Sequence, residues 1–207
     1  MAPSVMAAVL VPALALVAPG CDGDGKSSGP ASASRSRSEA VEAAKPATVA
    51  PKDFCETWHE ADAAPTLTLP PLRAPAPDKG ASQRSRWINV WATWCKPCIE
   101  ELPRLAKWQG ELGSKADFEL WFLSADGDPE AVAAFAEQHP EVAPPNTTLE
   151  LQEASALQPW AETLGVEGQA VLPIHVFVDG KDRVRCIRTA GVGEDDRGAI
   201  EQLLMSL

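Results

Sequence analysis

The sequence predicts an α/β domain, a mixed central sheet flanked by helices, preceded by an amino-terminal extension. Three observations predict it. Trp87–Ala92, Phe118–Leu123 and Ile174–Val178 are short runs rich in β-branched and aromatic residues, bounded by polar sequence, as buried strands are. Stretches with apolar residues at helical spacing lie between and after these runs. A composition of 45% hydrophobic and 23% charged residues over 207 positions suits one globular domain with tails.

Taken in order, Met6–Ala18 is almost purely apolar. It is shorter than the roughly 20 residues needed to cross a bilayer, and has the length of a signal-peptide core. Small residues then lead to Cys21, as in bacterial lipoprotein signals. Residues 1–20 are therefore read as a lipoprotein-type signal peptide and Cys21 as the lipidated residue, with an ordinary secretory signal as the alternative. Residues 21–52 are Gly, Ser, Ala, Pro and scattered charge without apolar periodicity. They read as a low-complexity tether, because such a chain cannot bury enough surface to offset its entropy. Roughly 30 flexible residues have an r.m.s. span of roughly 30 Å. The folded domain is assigned to 53–207.

Within it, Thr66–Leu69 alternates polar and apolar, a weak edge-strand signal, and Pro70, Pro71, Pro75 and Pro77 make an irregular connection. Trp87–Ala92 is the central strand. A helix follows from Lys96, with Ile99, Leu102, Leu105, Ala106 and Leu112 at helical spacing and a kink at Pro103. After the Phe118–Leu123 strand, Asp128-Pro129-Glu130 opens a second helix with Val132 and Phe135 inward. Pro144 and Pro145 break the chain, and a short helix from Pro159 to Leu164 ends at Gly165. Ile174–Val178 turns at Asp179-Gly180 into a strand from Arg183 to Arg188. The final helix carries Ile200, Leu203, Leu204 and Leu207 on one face.

The chemistry lies in Trp91-Ala92-Thr93-Trp94-Cys95-Lys96-Pro97-Cys98. Two cysteines separated by two residues, just after a strand and opening a helix, form a redox device. The first sulfur sits at the helix amino end, where free N–H groups and the macrodipole favour a thiolate. Lys96 adds a neighbouring cation, Pro97 fixes the turn, and Cys98, one turn inward, can attack a mixed disulfide and release product.

This stretch, with the following Glu101-Leu102-Pro103, resembles the membrane-tethered TlpA/ResA-like thiol–disulfide oxidoreductases of the thioredoxin-like fold. The resemblance implies Cys95 as exposed nucleophile, Cys98 as resolving cysteine and Glu101 as acid/base group near the inner sulfur, the alternative being a solvated helix carboxylate. The general thioredoxin pattern has a buried Asp on the preceding strand; Asn89 stands there and carries no proton at neutral pH. The resemblance also implies a cis Leu172–Pro173 bond facing the disulfide, and a role for Trp94 in shaping the surface around the nucleophile. Ile174 follows the proline where the family usually has Thr. Trp87, Trp91 and Trp121 read as core, and His175 as a packed strand residue. Cys55 and Cys186 remain: a structural disulfide is expected, with free buried thiols or a resolving role as alternatives.

The function expected is extracytoplasmic thiol–disulfide exchange on the periplasmic side of a bacterial membrane, reducing protein disulfides. The resemblance suggests clients of the cytochrome c or metal-site assembly type and a membrane thiol-transfer protein as electron donor. A monomer held by a lipid anchor is expected, with no cofactor and no resident metal. A net charge of -11, from 18 basic against 29 acidic side chains, argues against a nucleic-acid partner and against electrostatic adhesion to anionic lipid. The alternative function is a copper or zinc chaperone with Cys95 and Cys98 as soft ligands. A peroxidase is excluded, because both cysteines belong to one C-x-x-C.

Overall fold

The computed structural model describes residues 49–77, 83–144 and 148–207. The signal segment, Cys21 and most of the tether lie outside the described residues. The elements are α1 (Pro51–Phe54), β1 (Thr57–Trp58), β2 (Ser85–Trp91), α2 (Lys96–Leu112), β3 (Phe118–Ser124), α3 (Pro129–Gln138), β4 (Thr148–Glu150), α4 (Leu157–Thr163), β5 (Ile174–Val178), β6 (Val184–Arg188) and α5 (Arg197–Ser206), with short 3₁₀ turns before α4 and α5. The six strands form one mixed sheet in the order β1-β6-β5-β2-β3-β4. β2 runs parallel to β3, and β3 to β4; the pairs β2·β5, β5·β6 and β1·β6 are antiparallel.

The sheet is built around β2, every residue of which is buried. A strand with neighbours on both sides and covered faces needs apolar side chains in both directions, hence Trp87-Ile88-Asn89-Val90-Trp91. Trp87 stacks on Phe177 at a centroid distance of 5.1 Å, and Trp91 meets Phe135 of α3 at 5.4 Å. The helix faces match their periodicity: α2 buries Cys98, Glu101, Leu102, Leu105, Trp108 and Leu112, and α5 buries Ala199, Ile200, Leu203 and Leu204. Asp128 caps α3 by accepting from Glu130 N at 2.9 Å. Two glycines are required by close approach. A Cβ on Gly180 would lie 2.1 Å from the Gln83 carbonyl oxygen, and Gly127 combines φ +68° with backbone 2.4 Å from such a Cβ.

Three expectations change. Thr66–Leu69 is not a strand: Thr66 makes an isolated bridge to Arg183, and Leu67 N donates to Asp182 O at 2.7 Å. Pro65, Pro70 and Pro71 remove the donors a longer ladder needs. The edge beside β6 is instead taken by the two-residue β1. The fold begins at Pro51 rather than at 53, because Pro51 opens α1 and Phe54 is buried against Phe177. α2 includes Pro103 within its 17 residues. The short strand β4 completes the far edge of the sheet, where no strand is predicted.

Candidate active site

Strand β2 ends at Trp91, and the chain turns through Ala92-Thr93-Trp94 into α2. Cys95 is the N-cap of α2, and its Sγ accepts from Cys98 N at 3.3 Å. Cys95 N donates to Ala92 O at 3.0 Å, closing the turn. Lys96 and Pro97 form the first helical positions, where proline is tolerated because its missing N–H has no partner to lose. This places Cys95 and Cys98 one turn apart, and the two are joined by a disulfide with a Cα–Cα distance of 5.3 Å.

The loop is clamped from the end of β3. Asp126 accepts from Thr93 N at 3.1 Å through each carboxylate oxygen, from Thr93 Oγ1 at 2.6 Å and from Ser124 Oγ at 2.8 Å. A carboxylate collecting charge-assisted bonds from one residue fixes the turn two positions before the redox pair. Sequence reasoning missed Asp126. Its only linear signal is its place at the carboxyl end of a central parallel strand, where sites of α/β sheets gather.

In this bonded state Cys95 is 5% exposed and Cys98 is wholly buried. Cys95 is thus the less enclosed residue of the pair, but it is far less open than expected for an exposed nucleophile. Its sulfur is bonded to Cys98 and accepts from Cys98 N at the helix end. Trp94, by contrast, is 69% exposed beside it. Lys96 is also exposed and pairs with Glu100 at 3.6 Å. The Leu172–Pro173 bond is cis; both side chains are buried while Val171 stands out to solvent.

Glu101 is not a solvated helix carboxylate. It is 2% exposed and lies on the turn after Cys98. Oε1 accepts from Asn89 Nδ2 at 2.8 Å, and Oε2 accepts from Val192 N at 2.9 Å. Asn89, placed where a buried acid was sought, is therefore a donor to the acid that is present. The 191–192 loop links Glu101 to the cis proline: a Cβ on Gly191 would lie 3.5 Å from Glu101 Oε2 and 3.8 Å from Pro173 Cγ. Arg104, one turn beyond Glu101, donates to the Val192 carbonyl at 2.6 Å and so secures that loop. His175, read from sequence as packing, has Nε2 3.3 Å from Glu101 Oε1. What could have signalled it is its position two residues after Pro173, directly opposite Asn89 in the β2·β5 register.

Cys55 and Cys186 are joined by a second disulfide with a Cα–Cα distance of 5.5 Å, away from the redox loop. It ties the segment after α1 to β6. Among the described residues, no group of three or more His, Cys, Asp or Glu is arranged to hold a metal ion, and no helix is long and apolar enough to cross a membrane.

Comparison with known proteins gives a consistent fold. No protein-family model matches the chain. A 53-residue segment, 25% of this chain, is 43% identical to the thioredoxin-like protein YneN of Bacillus subtilis, covering 31% of that protein. A 100-residue segment, 48% of the chain, is 30% identical to the probable nucleoredoxin 1 of Arabidopsis thaliana, covering 17% of it. The chain thus spans less than a third of the length of either curated relative. Among solved structures, a DsbF homologue from Corynebacterium diphtheriae superposes with a TM-score of 0.51 at 15% identity, over 73% of this chain and 92% of that one. The fold is thioredoxin-like, a mixed sheet flanked by helices.

Proposed function

We propose that the protein is a thiol–disulfide oxidoreductase that reduces protein disulfides through Cys95 and Cys98. The observation that carries this reading is the bonded pair at the amino end of α2, with Cys95 less enclosed than Cys98, and a buried carboxylate one turn behind. In the reduced protein the Cys95 thiolate, favoured by the helix end, attacks one sulfur of a client disulfide. The client bond breaks, a mixed disulfide forms, and the departing client thiolate takes a proton from water. Glu101 takes the proton of Cys98; the Cys98 thiolate attacks Cys95 Sγ, forming the observed bond and expelling the second client thiolate, which takes up that proton. Two electrons pass from the dithiol to the client, with one proton from Cys98 by way of Glu101 and one from water, to which Cys95 had already released its own.

The wider setting is part of the same proposal. The Met6–Ala18 run and Cys21 support export and a lipid anchor on the periplasmic side of a bacterial membrane. A monomeric domain on a tether, recharged by a membrane thiol-transfer protein and serving cytochrome c or metal-site assembly clients, fits that placement. Exposed Trp94 and Val171 offer apolar surface beside the redox loop and the cis proline for a client to cover.

The test is turnover of a peptide disulfide. Cys95→Ser abolishes it, and Cys98→Ser accumulates a covalent complex through Cys95 that thiols dissolve. Activity surviving Cys95→Ser refutes the assignment. Titrating the pair against glutathione buffers decides direction, since a reductant needs a potential well below theirs. Export and anchoring are tested by fractionation of the wild-type and Cys21→Ser proteins.

A further inference from the structure

Glu101 shares its buried pocket with a polar cluster that thiol exchange alone does not explain. Asn89 and His175 are wholly buried, face each other across β2 and β5, and both approach Glu101 Oε1. Behind them Trp87 Nε1 donates to His175 Nδ1 at 3.1 Å. An indole N–H can only donate, so Nδ1 must present its lone pair. The ring proton then resides on Nε2, the nitrogen 3.3 Å from Glu101 Oε1. A proton on Nδ1 would point straight at the indole N–H. Nε2 meets no hydrogen-bond partner in proper geometry in this oxidised state, and neither does Asn89 Oδ1. A buried donor without a partner is costly, and the acceptor nearest to this one is a carboxylate.

We propose that His175, held in its Nε2–H form by Trp87, is a positioning residue that steers the charge on Glu101 and through it the proton exchange with Cys98. This rests on Glu101 being the proton partner of Cys98. A neutral donor aimed at a carboxylate favours its charged form without neutralising it. Glu101 therefore changes charge during the cycle while His175 does not. A fixed cation in the same place would hold the carboxylate charged and hinder its return of the proton. The other charged or titratable groups around this pair are Cys98 on α2; Arg104, which reaches it only through the Val192 carbonyl and is itself 3.4 Å from Glu194; and Arg188, paired with His175 in the β5·β6 register and 3.7 Å from Asp196.

The experiment mixes the reduced full chain with a fluorogenic peptide disulfide and follows the second phase, release of product by Cys98, against pH. Wild type gives an acidic limb set by Glu101, and Glu101→Gln moves it up to the pH at which an unassisted Cys98 thiol ionises. His175→Leu moves that limb upward by about one pH unit, a tenfold slower release on the limb, as loss of a bond to a charged group does. His175→Gln, which can donate to Glu101 and accept from Trp87, returns it toward wild type. In the Glu101→Gln background His175→Leu has no further effect. An unmoved limb in folded His175→Leu, or additive effects in the double variant, overturns the proposal. A limb left in place in Glu101→Gln instead defeats the reading of Glu101 on which it rests. Should His175→Leu not fold, the wild-type imidazole decides: ¹⁵N spectra between pH 5 and 8 show a bare Nδ1 and protonated Nε2, and the opposite tautomer or a doubly protonated ring overturns the proposal.

Discussion

Replacing Cys55 and Cys186 together by alanine removes a cross-link between residues 131 apart in sequence. Closing a loop of that length withholds from the unfolded chain an entropy worth about 5 kcal/mol at 25 °C in the chain-entropy model. Natural bonds usually deliver about 2–4 kcal/mol, because unfolded chains keep residual contacts. The native side has reserves too. Phe54 packs on Phe177, Arg188 donates to Phe54 O at 2.9 Å, Thr189 N donates to Glu56 Oε2 at 2.6 Å, and His59 N donates to Arg185 O at 2.9 Å. These hold the 54–59 segment in place, so the variant folds and the loss appears mainly through the unfolded state. Cys186 is fully buried, and its truncated side chain adds a small cavity cost. The expected loss is about 3–5 kcal/mol. Equilibrium urea unfolding of both proteins with Cys95–Cys98 oxidised measures it, and the steepness of the transition rises as the freed chain exposes more surface. A loss below about 1 kcal/mol at unchanged steepness would refute the loop-closure reasoning.

Further outcomes follow from other contacts. Asp126→Ala removes the acceptor of three Thr93 and Ser124 donors, so peptide-disulfide turnover falls while thermal unfolding shifts by about 1–3 kcal/mol; equal turnover would mean the clamp does not position the redox loop. Gly180→Ala drives a Cβ against the Gln83 carbonyl just before β2, and destabilises by about 1–3 kcal/mol in chemical denaturation. Burial raises the pKa of Asp179, but bonds from the Arg183 side chain and backbone and from Lys181 N, with the Arg183 charge, outweigh it and leave the value lowered. The stability this carboxylate contributes is thus present at neutral pH and lost as the pH falls from about 4 toward its native value. Asp179→Asn should flatten that acid limb in pH-dependent melting; an unchanged limb would discount the Arg183 contact.

The redox strand, α2 and the cysteine spacing were legible because their signals are local: a run of β-formers, a 3.6-residue repeat, and a proline and two sulfurs in fixed order. Thr66–Leu69 misled because two-residue alternation is equally served by an extended connector, and its flanking prolines decide between them. β1 and β4 are too short for any period to show. Glu101 could be placed by its distance from Cys98, but its burial could not, since that depends on Asn89, Val192 and His175 arriving from three other segments. Asp126 was missed for the same reason: it holds Thr93, brought close only by the pairing of β2 and β3. His175 is the packed strand residue expected, and its approach to Glu101 likewise depends on strand pairing.

The outer rims of the sheet carry a consequence for how other chains are received. β1 offers two residues of ladder, and β4, three residues long, is overlaid by Pro71–Arg73, with Arg73 N donating to Glu150 O and Gln152 N to Pro71 O, each at 2.9 Å. An extended polypeptide thus finds little main chain to zip onto at either margin. Any client of the proposed exchange must then be recognised through side chains crowning the sheet, and the margins resist the stacking of one copy upon the next.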